Sequence, residues 1–314
     1  MGKTVLKQEV EYPKWDAEKF LAEKKKDKSY NHSAPRIWVF KHNLEVFQAG
    51  GYVSQSGREV VFEENPVSVI YDKEFNVNDV PAGKEETITG VRNIDCIDWT
   101  LELEGQGYHP ALLNLSGQDR PCGKVKTGAG AQEESICQRT DLCQALYPYF
   151  KEADAKLVNT TFINNVYPLE QHFGCIYSPS IRVFRSSPEK GFALLDDPQR
   201  ISIITIGAVN KRKSSDFALS EEEIGITGDR IRTIYRTGLA NGHDSLVLGA
   251  FGCGVFKTPP IQIAELFKKI SLEPEFHNKY KALFFAILQR GNRKSTGKKF
   301  KPFYDIFGQF KASV

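Results

Sequence analysis

The sequence holds no apolar run approaching the roughly 18 residues that a membrane span requires, and Met1 to Val10 lacks the apolar core of a secretion signal. It also lacks an excess of one charge. Against 42 basic residues stand 39 acidic ones, and the resulting +3 at pH 7 is too small to call for a nucleic acid partner. The six cysteines, Cys96, Cys122, Cys137, Cys143, Cys175 and Cys253, form no C-x-x-C pair and have no histidines at zinc-finger spacing. They read as reduced thiols, because a disulfide framework is unusual in a long chain without a secretion signal. There is no internal repeat and no low-complexity tract. What is present is ordinary: 314 residues, 40% apolar and 26% charged, enough for one large domain or two smaller ones with a buried core. These features predict a globular, cytoplasmic or otherwise intracellular protein without membrane attachment.

From Tyr12 to Ser33 the chain is polar and lysine-rich, with Lys24, Lys25 and Lys26 in succession, which reads as a solvated helix or arm. Arg36 to Phe40 alternates like a strand start, and Asn43 to Gly50 has helical spacing closed by Gly50 and Gly51. Val60 to Phe62 and Val67 to Tyr71 look like short strands, and Asn76 to Glu86, with Pro81 and Gly83, like a loop. After that loop the grammar changes. Compact apolar runs at Ala111 to Leu115, Ile201 to Ile206, Ser245 to Gly249 and Ala282 to Leu288 have the composition of strands buried on both faces. Helical patterns such as Asp229 to Asn241 and Pro260 to Ile270 lie between them, and the alternation predicts an α/β sandwich.

In such sheets ligands bind beyond the carboxyl ends of the strands, so the loops after Leu115 and Leu248 are where chemistry is expected. Both are glycine-rich. The first holds Gly117, Gly123, Gly128 and Gly130 and runs into Gln132, Glu133 and Glu134; the second reads Gly249-Ala250-Phe251-Gly252-Cys253-Gly254-Val255-Phe256. Glycine lets main-chain N–H groups approach one anion closely, which suits a diphosphate, although neither loop has P-loop or dinucleotide-fingerprint spacing. Tight turns alone would account for one such loop. Glu133 and Glu134 add a second signal, at the start of a helix expected over Ser135 to Tyr147 with Ile136, Leu142 and Leu146 buried. Neighbouring helix residues point about 100° apart, so one carboxylate is expected to hold a hydroxyl and the other to do acid–base work. A first turn rich in glutamate for helix stability is the plainer reading.

Taken together, Gly128-Ala129-Gly130-Ala131-Gln132-Glu133-Glu134, then Ile176-Tyr177-Ser178-Pro179 with Val183-Phe184-Arg185, and finally Leu248 to Phe256 resemble the microbial-type poly(ADP-ribose) glycohydrolases, a branch of the macrodomain fold. The resemblance extends from about Arg36 to about Gln289 and includes Asn241-Gly242-His243-Asp244. It implies a three-layer α/β/α macrodomain-like mixed sheet over residues 91–314, with a mainly helical N-terminal accessory region, residues 1–90, against it. It also implies a hydrolase of ADP-ribose glycosidic bonds, acting on poly(ADP-ribose) or ADP-ribosylated protein, with no metal and no cofactor. On this likeness Glu134 matches the family's catalytic glutamate, a neutral acid that protonates the departing oxygen and then helps to deprotonate a water. Glu133 matches the glutamate that holds ribose hydroxyls, and Gln132 supports the turn. The backbone of Gly252, Cys253, Gly254 and Val255 matches the diphosphate loop, and Phe256 the aromatic near the distal ribose.

The chain departs from the family in one place. Where the family carries three consecutive glycines after a proline, this chain reads Pro121-Cys122-Gly123-Lys124. Side chains at Cys122 and Lys124 are therefore expected to limit how closely this backbone wraps the ribose and diphosphate, with Lys124 offering a cation to phosphate instead. ADP-ribose binding survives that change, whereas polymer specificity does not follow from it; a non-catalytic or mono-ADP-ribose-specific macrodomain is the alternative. Asp95 reads equally as an acceptor for the adenine amino group and as an N-cap, and Asn114 as a ribose contact or a turn support. His172 and His243 suggest acid–base work, although His243, in a turn after a helix, reads rather as a surface or capped residue; Cys253 reads as a small packing residue, and the basic run Arg293 to Lys301 as a solvated tail.

Overall fold

The computed structural model describes residues 11–27, 33–289 and 297–308. The expected absence of a leader at Met1 to Val10, together with Arg293 and Lys294 of the basic run, falls outside them. In chain order the elements are α1 (Ala17–Lys26), α2 (Ser33–Ala49), β1 (Gly51–Val53), β2 (Glu59–Val61), β3 (Val69–Tyr71), β4 (Ile88–Arg92), α3 (Cys96–Gly105), β5 (Pro110–Ser116) and α4 (Gln132–Arg139). There follow α5 (Leu142–Leu146), β6 (Cys175–Arg185), β7 (Leu194–Gly207), α6 (Glu221–Ala240), β8 (Ser245–Leu248), α7 (Pro260–Ser271), β9 (Ala282–Ala286) and α8 (Gly297–Phe307).

Strands β3-β6-β7-β5-β8-β9-β4 form a seven-stranded sheet in that order, and β1 pairs with β2 apart from it. From β7 across to β4 neighbouring strands are parallel; β6 and β3 extend the sheet antiparallel on the other edge. Side chains alternate between two apolar layers, as strand geometry requires. Leu112, Ile203, Val247 and Phe284 meet Val39, Val46, Trp99, Leu103, Ile136 and Leu142 of α2 to α5 on one face. Leu113, Ile204, Leu246 and Phe285 meet Ile231, Ile234, Phe267 and Phe303 of α6 to α8 on the other. Covering on both faces is why these strands read as continuous apolar runs. Each such buried side chain contributes roughly 1.5–3 kcal/mol relative to exposure. The macrodomain-like three-layer expectation is thus met.

Three expectations about the elements change. Arg36 to Phe40 is not a strand start but part of α2, whose buried Val39, Phe40, Asn43, Val46 and Phe47 recur at helical spacing. The helix expected over Ser135 to Tyr147 begins earlier, at Gln132, and breaks after Arg139. It breaks because Thr140 turns extended to bridge Val183, and the Asp141 carboxylate accepts from Arg182 N–H at 2.8 Å and from its Nη1 at 2.6 Å. Similarly α6 begins at Glu221, ahead of Asp229, on a capping box of Ser220 and Glu223. A boundary between residues 90 and 91 falls inside β4, and β3 of the first segment forms an edge of the main sheet. Among the described residues no helix is long and apolar enough to cross a membrane.

Candidate active site

The sheet positions the first turn of α4 through Gln132. Strand β5 pairs with β8 only over Pro110–Leu112; beyond that point the Gln132 amide takes over, donating to Leu113 O and accepting from Leu115 N–H, each at 2.8 Å. This fixes the direction of the next two side chains. Glu133 returns to the end of β5, where its Oε1 accepts from Ser116 Oγ at 2.9 Å and its Oε2 from Gly117 N–H at 3.4 Å. Glu134 turns to the loop and accepts Lys124 N–H through Oε1 at 2.9 Å. Both carboxylates are buried, and Glu134 Oε2 has no hydrogen-bond partner among the described residues. An unpartnered buried carboxylate oxygen is costly unless a ligand or water satisfies it.

Gly123 is where the two carboxylates meet. A Cβ built there would collide with Glu134 Oε1, 3.0 Å from Glu134 Cδ and 3.1 Å from Glu133 Oε2, and φ is +51°. The neighbouring substitutions act differently from expectation. Cys122 has a left-handed φ of +60°, but its side chain is fully buried in the core, with Sγ 3.1 Å from Cys143 Sγ, so the thiol does not obstruct the loop. Lys124 is exposed. The other glycines of this loop serve α2 rather than an anion. A Cβ on Gly128 would strike Ser33 O, one on Gly130 would lie 2.7 Å from Arg36 Cζ, and Arg36 Nε donates to Gly128 O at 2.7 Å.

Burial raises the Glu133 carboxyl to about 8, with help from the Glu134 charge and against the hydrogen bonds of Ser116, Gly117 and Cys122. At neutral pH this turn therefore holds a proton.

The second loop folds back on the first. Phe256 Cζ would lie 3.6 Å from a Cβ on Gly117, the residue whose N–H binds Glu133. Among the described residues the N–H groups of Gly252, Gly254, Val255 and Phe256 have no hydrogen-bond acceptor, which leaves a run of donors for an anion. Gly252 is needed for a φ of +73° and for a close approach, since a Cβ would lie 2.6 Å from Thr258 Oγ1. Cys253 is a packing residue, buried beside Thr258, and burial pushes its thiol up to about 12. Two cations border the loop that sequence reading had missed. Lys299 Nζ lies 3.9 Å from a Cβ position on Gly254, and the Arg212 guanidinium sits 5.4 Å from the Phe256 ring centre. Lys299 was legible only as part of a basic run, and Arg212 carried no signal.

The remaining candidates are held mainly by protein partners. Asp95 caps α3: its Oδ1 accepts from Ile97 and Asp98 N–H and from Arg139 Nη1 at 2.7 Å. Asn114 is fully buried on β5, donating to Thr205 Oγ1 at 3.2 Å while its Oδ1 finds no partner among the described residues. His243 is buried between Tyr177 OH at 2.8 Å and His109 O at 3.1 Å, and burial lowers it to about 4. His172 pairs with Asp229 at 2.8 Å.

Residues 41–186, which include both glutamates, match the family model for the microbial-type PARG catalytic domain. The crystal structure of poly(ADP-ribose) glycohydrolase from Thermomonospora curvata is 25% identical over 87% of this chain and 100% of that chain, with a TM-score of 0.69. The same enzyme bound to the inhibitor ADP-HPD is 25% identical over 87% and 99%, at 0.66. The enzyme from Deinococcus radiodurans in complex with ADP-ribose is 25% identical over 71% and 85%, at 0.56. No curated protein matches the chain. Residues 41–186 thus resemble the microbial-type PARG catalytic domain, and the chain has the macrodomain-like fold of the bacterial poly(ADP-ribose) glycohydrolase structures.

Proposed function

We propose that the chain hydrolyses the glycosidic bond of ADP-ribose units, in poly(ADP-ribose) or on ADP-ribosylated protein, with Glu134 as acid and then base. The observation that carries this is Glu134 Oε2, a buried carboxylate oxygen without a partner, one residue from a carboxyl that holds its proton at neutral pH. In this reading the proton held on the Glu133–Glu134 turn passes through Glu134 Oε2 to the departing oxygen as positive charge develops at the anomeric carbon, and Glu134 then takes a proton from the attacking water. Glu133, held by Ser116 and Gly117, receives the ribose hydroxyls. The unpaired N–H groups of Gly252, Gly254 and Val255 bind the diphosphate, and Phe256 closes over the distal ribose. The six free thiols fit an intracellular setting.

Glu134→Gln tests the proposal, because the amide keeps an acceptor for Lys124 N–H but cannot shuttle the proton. Hydrolysis of automodified polymer and of arginine-linked and acid-linked substrates should fall by about 10²–10⁴-fold, while ADP-ribose still raises the melting temperature. Unchanged turnover would refute the role of Glu134. No turnover by either form, with ADP-ribose binding retained, would identify a reader instead.

A further inference from the structure

Behind the catalytic loop the fold collects a group of side chains that hydrolysis does not use. Cys122 comes from the loop, Cys137 from α4 one turn beyond Glu133, and Cys143 from the first turn of α5. All three are fully buried, and their sulfurs lie within 4.8 Å of one another. Cys122 and Cys143 approach to 3.1 Å, closer than two uncharged thiols rest in contact. The other cysteines are dispersed: Cys96 beside Gln132, Cys175 beside Thr237 and Cys253 beside Thr258.

We propose that Cys122, Cys137 and Cys143 form a three-sulfur site for a soft, closed-shell monovalent metal ion, cuprous copper. A sulfur-only donor set selects soft ions. Zinc in structural sites takes four ligands, yet among the described residues no further histidine, cysteine, aspartate or glutamate joins this group, which is shut off from bulk solvent. Three convergent sulfurs satisfy three-coordinate copper(I). Binding transfers no electrons: each thiol releases its proton to solvent and three copper–sulfur bonds form. The site would tie the loop that carries Gly123 and Lys124 to the helix that carries both glutamates. It would also explain a cysteine held at φ +60°, where a side chain is strained.

The test uses the full chain, reduced under anaerobic conditions and titrated with acetonitrile-stabilised copper(I). A near-ultraviolet thiolate-to-copper band should saturate at one equivalent. Native mass spectrometry should show one copper gained with three protons lost, and the melting temperature should rise. Cys137→Ser and Cys143→Ser should each weaken binding by roughly tenfold or more, and Cys175→Ser should not. Native mass spectrometry of the wild type decides the matter if a serine variant fails to fold. Absence of a one-equivalent end point, binding unaltered in both serine variants, or preferential uptake of zinc would overturn the proposal. So would a protein two hydrogens lighter that takes up no copper, since that mass marks a disulfide.

Discussion

Replacing Gly123 by alanine perturbs the site at a backbone position that both glutamates touch. Two costs follow from the structure. An alanine at φ +51° carries the left-handed penalty of about 1–2 kcal/mol. Its Cβ also meets Glu134 Oε1, so the carboxylate must move, and the charge-assisted bond from Lys124 N–H, worth about 1.5–3 kcal/mol, is lost or lengthened. For a chain of this size at roughly 2 °C per kcal/mol, the melting temperature should fall by roughly 5–10 °C. Release of ADP-ribose from automodified polymer should fall by about 100-fold or more, because an acid misplaced by an ångström loses its proton-transfer geometry. Gly50→Ala separates the two costs. Gly50 has a similar φ of +67° with nothing within 4 Å of a Cβ, so that variant should lose only the torsional share and keep full activity. The reasoning fails if Gly123→Ala melts and turns over like Gly50→Ala, since the carboxylate contact would then contribute nothing.

Other consequences can be measured directly. Burial, aided by Arg185, lowers His42 to about 4, and burial likewise lowers His243 to about 4, so the folded state binds fewer protons than the unfolded chain, where histidine titrates near 6.5. Their share of stability is complete above about pH 6.5 and is lost as pH falls toward 4, by roughly 3 kcal/mol for each imidazole, and urea titrations across that window should show the decline. Glu133 acts with the opposite sign. Its carboxyl is raised to about 8, so its contribution is complete below about pH 4.5 and disappears as pH rises to 8; Glu133→Gln should flatten that alkaline limb of the urea profile. Finally, Arg185 is fully buried and among the described residues has no carboxylate partner, donating to Asn43 Oδ1 at 2.6 Å and Phe192 O at 2.9 Å and lying 4.6 Å from the Trp15 ring centre. Arg185→Met leaves Asn43 Oδ1 and Phe192 O without this donor, at about 1–3 kcal/mol each, so it should destabilise by roughly 2–6 kcal/mol in urea while each folded molecule keeps its activity; a loss below about 1 kcal/mol would show that the guanidinium is dispensable.

The sheet was legible because burial on both faces makes strands such as β8 and β9, and the Ile201–Ile206 half of β7, largely apolar. The glycine loops and paired glutamates were legible as local motifs. What escaped was decided at long range. Arg36 to Phe40 mimics a strand because Ile37 and Val39 happen to alternate, whereas α2 buries every third or fourth side chain against α4 and β6. The break after Arg139 depends on Arg182 of β6, 41 residues away in sequence from Asp141. Gly128 and Gly130 looked like ligand glycines although Ser33 and Arg36 dictate them, a contact with no local trace. Lys299 reaches the second loop only because α8 returns to it, and the cysteine group has no motif because loop, α4 and α5 bring one sulfur each.

The same contrast explains how the chain departs from the family's run of three glycines without dismantling the turn. The three positions impose three different requirements. At Gly123 the requirement is steric, because Glu134 occupies the space of a Cβ, and no other residue fits. At Cys122 it is torsional only: φ is +60°, a cost of about 1–2 kcal/mol for a side chain, and full burial of the thiol among Cys137 and Cys143 offsets a comparable amount. Lys124, at φ −111° and exposed, meets neither demand, so its backbone N–H can hold Glu134 whatever side chain it bears. Two of the three glycines are therefore dispensable for positioning the carboxylates, with Cys122 turned into the core and Lys124 alone bearing on what the loop contacts outside, while the middle one is not negotiable.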